Sequence, residues 1–131
     1  MKKEKSFRSP LGTARGLGAA KAGTHHWWMQ RVTAVAIAIL FFYLAGCFFQ
    51  YVVFGGYEQA RNWLRSPLTA TAVVLFLAAG FHHAAAGLQV IIEDYIHCEC
   101  LKTIKIIGTK FLAAAFAVLG ILCIAKILFG A

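Results

Sequence analysis

Charged side chains are scarce in this sequence. Only 14% of its 131 residues are Asp, Glu, Lys or Arg, whereas about a quarter are charged in an average soluble domain. Hydrophobic residues make up 60% of the chain. This balance argues against a soluble domain and predicts an integral membrane protein that forms one small unit.

The sequence also lacks the motifs of a self-sufficient enzyme. It has no glycine-rich nucleotide-binding loop, no paired nucleophile and base, and no run of cysteines that would hold an iron–sulfur cluster. Cys98-Glu99-Cys100 lacks the spacing and the second ligand pair of a structural metal site. Basic and aromatic residues do not interleave as they do on nucleic-acid-binding surfaces. We therefore expect no catalytic activity from the chain alone and no nucleic-acid partner.

Three long apolar segments remain, and each is long enough for a transmembrane helix of about 20 residues. We expect them to cover about residues 28–54, 67–94 and 105–129. The third contains Lys110 and Lys126 near its two ends, where long amines reach the headgroups. The sequence thus predicts an all-α membrane protein in which residues 1–26 form a tail and residues 27–131 a three-helix unit.

The distribution of basic residues predicts the orientation of the spans. Seven Lys and Arg residues precede Val32, whereas the first loop carries only Arg61 and Arg65. The link between the second and third spans adds Lys102 and Lys105 on the same side as the N-terminal tail. Because basic segments stay on the cytoplasmic side, we expect a bacterial cytoplasmic membrane protein with a cytoplasmic N-terminus and a periplasmic C-terminus.

The second span contains two adjacent histidines among small residues, in the stretch AAGFHHAAAG. His83 and Asp94 are 11 residues apart, so at about 100° per residue they share a helix face, about 16 Å apart along the axis. Three roles remain open for His83: a hydrogen bond to a neighbouring helix, a proton relay, or axial ligation of a haem iron. His82 points about 100° away, which favours packing.

Polar residues at the inner ends of the first two spans form the second candidate group. Arg31 either extends to the headgroups or pairs with an anionic ligand group, and Thr33 either contacts a ligand or bonds its own backbone. Tyr95 either belongs to the aromatic belt or donates to a quinone carbonyl, with Asp94 assisting proton delivery.

Taken together, these motifs resemble those of a known family. His83, ten intervening residues and then Asp94-Tyr95 are similar to the pattern in the small D-type membrane anchor of succinate dehydrogenase, respiratory complex II. The segment THHWWMQRVTAVA (Thr24–Ala36) and the tail from Arg8 to Gly18 resemble the same family. The third span matches only as an apolar helix.

The resemblance implies a cytochrome b556-like anchor of succinate:quinone oxidoreductase that forms half of a helix bundle with a sister subunit. His83 would be one axial ligand of haem b, and a C-type anchor would supply the other. Tyr95 would hydrogen-bond ubiquinone with Asp94 in support, and Arg31 would contact a haem propionate. The partners implied are the C-type anchor, the iron–sulfur subunit, the flavoprotein subunit and membrane lipid. The complex that they form could itself oligomerise.

Several alternatives stay open from the sequence. A π-bulge in the second span would exchange the roles of His82 and His83. The chain could instead be a haem-free anchor with only a quinone site, or a fumarate reductase anchor. An unrelated small structural subunit of a membrane complex is the alternative from a different class.

Overall fold

The computed structural model describes residues 19–130, and no β-strand occurs in that range. Helix α1 (Ala19–Phe48) continues into a π-helical segment (Phe49–Val53), and the following helices are α2 (Gly56–Arg65), α3 (Pro67–Tyr95) and α4 (Glu99–Phe129). The predicted all-α fold class is confirmed. Most of the basic tail, including the segment from Arg8 to Gly18, lies outside the described residues.

Three of these helical segments are long and apolar enough to cross a membrane: Gly23–Val53, Pro67–Tyr95 and Glu99–Phe129. The first and third contain 31 residues each, which corresponds to about 46 Å of helix. The hydrocarbon core of a bilayer is about 30 Å thick, so both helices tilt or extend beyond it. The chain is therefore an integral membrane protein with three spans.

Helix α3 lies at the centre and packs against both α1 and α4. The apolar side chains buried on it are mostly small, among them Ala70, Ala72 and Ala85, whereas Phe42 on α1 and Phe111 on α4 are 74% and 78% exposed. Transmembrane helices associate through close packing of small residues, because lipid tails solvate large apolar side chains as well as a protein interior does. Small residues at the helix contacts and phenylalanines on the exposed surface are therefore the arrangement expected of a helix bundle in a bilayer.

The link between the first two spans contains helix α2. Gly56 adopts φ +75°, which a residue with a Cβ rarely adopts, and reverses the chain after the π-helical segment. Trp63 of α2 stacks on Tyr51 with ring centroids 5.8 Å apart. Arg65 donates to the carbonyl of Gly130 at 2.7 Å, so it stabilises the negative end of the α4 dipole. These contacts hold α2 across the end of the bundle.

Helix α3 begins at Pro67, as the sequence predicted, and is α-helical without interruption to Tyr95. The π-helical segment lies after α1, well away from the histidine pair. The regular helical spacing between His83 and Asp94 is therefore preserved, and no bulge in α3 exchanges His82 with His83.

Candidate functional site

The imidazole of His83 lies where α3 crosses α1. Its Nδ1 is 3.0 Å from the hydroxyl oxygen of Thr33, and its Nε2 is 3.4 Å from the side-chain amide nitrogen of Gln30. Gln30 and Thr33 are three residues apart on α1, so they lie on the same face of that helix. Two polar side chains of α1 thus hold both ring nitrogens of the candidate ligand.

The hydrogen bonds of Thr33 determine which nitrogen of His83 carries the proton. The Thr33 side chain is buried, and its hydroxyl oxygen is 2.8 Å from the Met29 carbonyl, the closest acceptor. The single hydroxyl proton goes to that carbonyl, so the oxygen accepts a hydrogen bond from the Nδ1–H of His83. This assignment from the network makes Nε2 the acceptor nitrogen, with its lone pair towards the side-chain amide N–H of Gln30 at 3.4 Å. Neutral imidazole in this tautomer is the form that ligates a metal.

A groove of about 340 Å³ adjoins His83 on this side of the molecule. Arg31 lines it, and the Arg31 guanidinium carbon lies 4.3 Å from the ring centroid of Trp27, in cation–π contact. A Cβ added at Gly87 would lie 3.4 Å from the Gln30 amide nitrogen, so Gly87 of α3 faces α1 beside this groove. The structure thus brings together His83 and Arg31, two of the residues that the sequence singled out.

Two buried polar atoms beside the groove have no hydrogen-bond partner among the described residues: Nε2 of His26 and Oε1 of Gln30. Both residues line the groove. Buried polar atoms are nearly always hydrogen-bonded, so these two indicate a missing polar partner. A neutral imidazole, an arginine and a rigid helix face suit a flat metallated ring with ionised substituents, so the residues present fit a haem.

Asp94 and Tyr95 lie in the last turn of α3, on the side towards the N-terminal end of α1, and both side chains are exposed. The Tyr95 side chain is 79% exposed. Within residues 19–130, neither side chain forms a hydrogen bond or an ion pair with another, so both are open to a ligand or a partner chain. The structure separates this pair from His83 by about 16 Å along α3.

His82 faces away from the groove. It lines a different cleft, which residues of α1, α3 and α4 enclose. No cluster of three or more His, Cys, Asp or Glu side chains suited to a metal ion occurs within the described part of the chain. Cys98 and Cys100 are free and exposed.

Sequence reasoning missed Gln30 and left Thr33 undecided. The available signal was their spacing, since two polar residues three positions apart mark one face of an apolar helix. Which side chain that face meets depends on how α1 crosses α3, and the spacing along one helix does not contain that information.

The sequence is similar to those of known membrane anchor subunits. The family model described as succinate dehydrogenase/fumarate reductase transmembrane subunit matches residues 5–122. The succinate dehydrogenase hydrophobic membrane anchor subunit of Rickettsia bellii is 32% identical over 108 residues, covering 79% of this chain and 82% of the relative. The subunit of the same description from Paracoccus denitrificans is 30% identical, with 80% and 81% covered. A succinate dehydrogenase membrane anchor subunit of Reclinomonas americana is 28% identical, with 71% and 79% covered.

Proposed function

The chain belongs to the family of succinate dehydrogenase/fumarate reductase transmembrane subunits, and we propose that it anchors succinate:quinone oxidoreductase and provides one ligand of haem b. The observation that carries the haem assignment is the hydrogen bond from His83 to Thr33, which leaves the unprotonated Nε2 beside an open groove, where the long 3.4 Å contact with the Gln30 amide is its hydrogen bond within residues 19–130. His82 has no comparable hydrogen-bonded support among the described residues, which favours His83 as the ligand.

Arg31 is proposed to hold the anionic edge of the cofactor. Its guanidinium is exposed and lines the same groove as His83, and guanidinium groups bind carboxylates through charge-assisted hydrogen bonds. The guanidinium lies over the ring of Trp27, which lines the same groove. When bound, haem b supplies a one-electron redox centre inside the membrane.

Tyr95 and Asp94 are proposed to form part of the ubiquinone-reduction site. The phenol donates a hydrogen bond to a quinone oxygen, and the adjacent carboxylate accepts a proton and passes one on. Both side chains are exposed at the end of α3, where a pocket completed by partner subunits would lie. The open position of these groups supports this role.

The proposed partners are the C-type anchor, which supplies the second haem ligand, together with the iron–sulfur and flavoprotein subunits. We place the protein in the bacterial cytoplasmic membrane, with the N-terminal tail and the α3–α4 link in the cytoplasm. The exposed Cys98 and Cys100 test this orientation. A membrane-impermeant maleimide should label them in inside-out vesicles and not in intact spheroplasts.

The proposed function is tested by purifying the complex on a tag attached to this chain. We expect the flavoprotein and iron–sulfur subunits to co-purify and the preparation to reduce quinone with succinate. A reduced-minus-oxidised spectrum should show a b-type haem at about one per copy of the chain. Co-purifying subunits without haem would support the haem-free anchor, whereas absence of the subunits would contradict the whole assignment.

Thr33→Val is expected to weaken haem binding while the complex still assembles. Valine keeps nearly the same shape but removes the oxygen that accepts the Nδ1–H of His83. Loss of a group that orients a metal-ligating histidine costs roughly 10–100-fold in affinity. Haem per complex after detergent washing, and the haem midpoint potential, measure the effect. Thr33→Ser keeps the hydroxyl and should behave as wild type; equal haem retention in all three proteins would remove Thr33 from the site.

A further inference from the structure

A second cavity lies on the other side of α3. Helices α1 and α4 both pack on α3, and a cleft of about 450 Å³ opens between them. This volume falls within the range of about 300–1,000 Å³ that is usual for ligand sites. His82 lines the cleft, and it lies about 100° around α3 from His83. The cleft is therefore separate from the proposed haem groove, although His26 lies at the border of both.

Most of the cleft is walled by methyl groups. Besides Met29 and Phe81, the apolar lining consists of six alanines: Ala78, Ala85, Ala86, Ala113, Ala114 and Ala117. Phe81 stacks on Phe116 with ring centroids 6.2 Å apart, which ties α3 to α4 beside the cleft. A surface of alanine methyl groups offers dispersion contacts and no polar atoms, so it suits a hydrocarbon chain.

Nitrogen-bearing side chains line the rest of the cleft: His26, His82, Gln89 and Lys110. The same four side chains also line an adjoining mouth of about 530 Å³. Within residues 19–130, Lys110 forms neither an ion pair nor a hydrogen bond, so its ammonium group is available to a ligand of the cleft. The cleft thus has an apolar wall next to an unpaired ammonium group and imidazole groups. An anionic amphiphile, which has a hydrocarbon chain and a negatively charged group, is complementary to this surface.

Glu93 is the acidic residue beside this cluster. It accepts a hydrogen bond from the Gln89 amide at 2.7 Å and lines the mouth but not the inner cleft. It lies one helical turn beyond Gln89, about 6 Å further along α3. Its charge opposes that of a bound anion, whereas the charge of Lys110 favours it. Neutralising Lys110 should therefore weaken the binding of an anionic ligand, whereas neutralising Glu93 should strengthen it.

We propose that this cleft binds one anionic phospholipid. The phosphate contacts Lys110, with the imidazole of His82 as a further partner, and an acyl chain lies along the alanines. Basic pockets between transmembrane helices on the cytoplasmic side bind anionic head groups in this way. A partner helix in the cleft would instead cover the unpaired ammonium of Lys110, which is costly within a membrane.

The test is lipid binding to the purified, delipidated complex, titrated with short-chain phosphatidylglycerol. Native mass spectrometry of the same preparations counts the retained phospholipids. We expect Lys110→Gln to bind about five- to tenfold more weakly than wild type, since one basic group is lost. Glu93→Gln should bind more tightly. Lys105→Gln is the matched control, because Lys105 is an exposed lysine of α4 that lines neither the cleft nor its mouth.

Haem content and subunit composition are measured on every variant. Subunit composition shows whether weaker lipid binding comes from misassembly, and haem content shows whether the haem proposal fails independently of the lipid site. Inorganic phosphate at millimolar concentration should not displace the lipid, because it lacks the chain that contacts the alanines. Equal affinity of Lys110→Gln and Lys105→Gln would overturn the site. Displacement by phosphate alone would overturn the acyl-chain contact, and a cross-link from a cysteine placed at Ala114 to a partner subunit would show that protein fills the cleft.

Discussion

His83→Ala is expected to reduce haem in the purified complex to less than about a tenth of the wild-type content. The substitution removes the Nε2 lone pair, and no other described side chain of the chain faces the groove with a comparable hydrogen-bonded imidazole. Loss of a supporting group alone costs about 10–100-fold in metal affinity, so loss of the ligand itself costs at least as much. The reduced-minus-oxidised spectrum, with haem counted per copy of the chain, measures the effect.

His82→Ala is the matched control for this prediction. It removes a histidine from the adjacent position of the same helix, but that side chain faces the cleft between α1 and α4. We expect haem content close to wild type. If His82→Ala lost haem and His83→Ala kept it, the ligand assignment would be reversed, and the Thr33 interaction would have only a packing role. Subunit co-purification shows in each case whether the complex has assembled.

Tyr95→Phe is expected to lower the rate of succinate-driven quinone reduction by about 100-fold. The substitution removes only the phenolic oxygen, which is proposed to donate to the quinone oxygen that gains negative charge during reduction. Removing one donor of this kind costs about 10²–10³ in turnover. Because Tyr95 is exposed and lies in the last turn of α3, its loss should leave the bundle intact. Steady-state assays with a soluble quinone analogue give kcat and KM separately.

Tyr57→Phe provides the control, since Tyr57 is also an exposed tyrosine but lies in α2, at the opposite end of the bundle. Oxidation of succinate with a water-soluble electron acceptor should be unchanged in both variants, because that reaction does not need the membrane site. Normal quinone turnover in Tyr95→Phe would exclude the proposed donor. A loss that Tyr57→Phe shares would point to general damage to the anchor instead.

The three spans were predictable because each is a local property of the sequence. A run of about 20 apolar residues is enough to specify a transmembrane helix, and the described residues contain three helices long and apolar enough to cross a membrane. No helix was predicted from the sequence in the link before α3. The position of helix α2 depends on contacts of Trp63 with Tyr51 and of Arg65 with the end of α4.

The sequence by itself determined the membrane class, the number of spans, the family resemblance and the common helix face of His83 and Asp94, because these depend only on composition, motif and helical period. The tertiary structure decided what surrounds the histidines. The crossing of α1 over α3 brings Thr33 and Gln30 to His83 and selects its tautomer, while the position of α4 turns His82 and Lys110 towards one cleft. Side chains separated by 50 or more positions meet only through helix packing, which no local pattern in the sequence specifies.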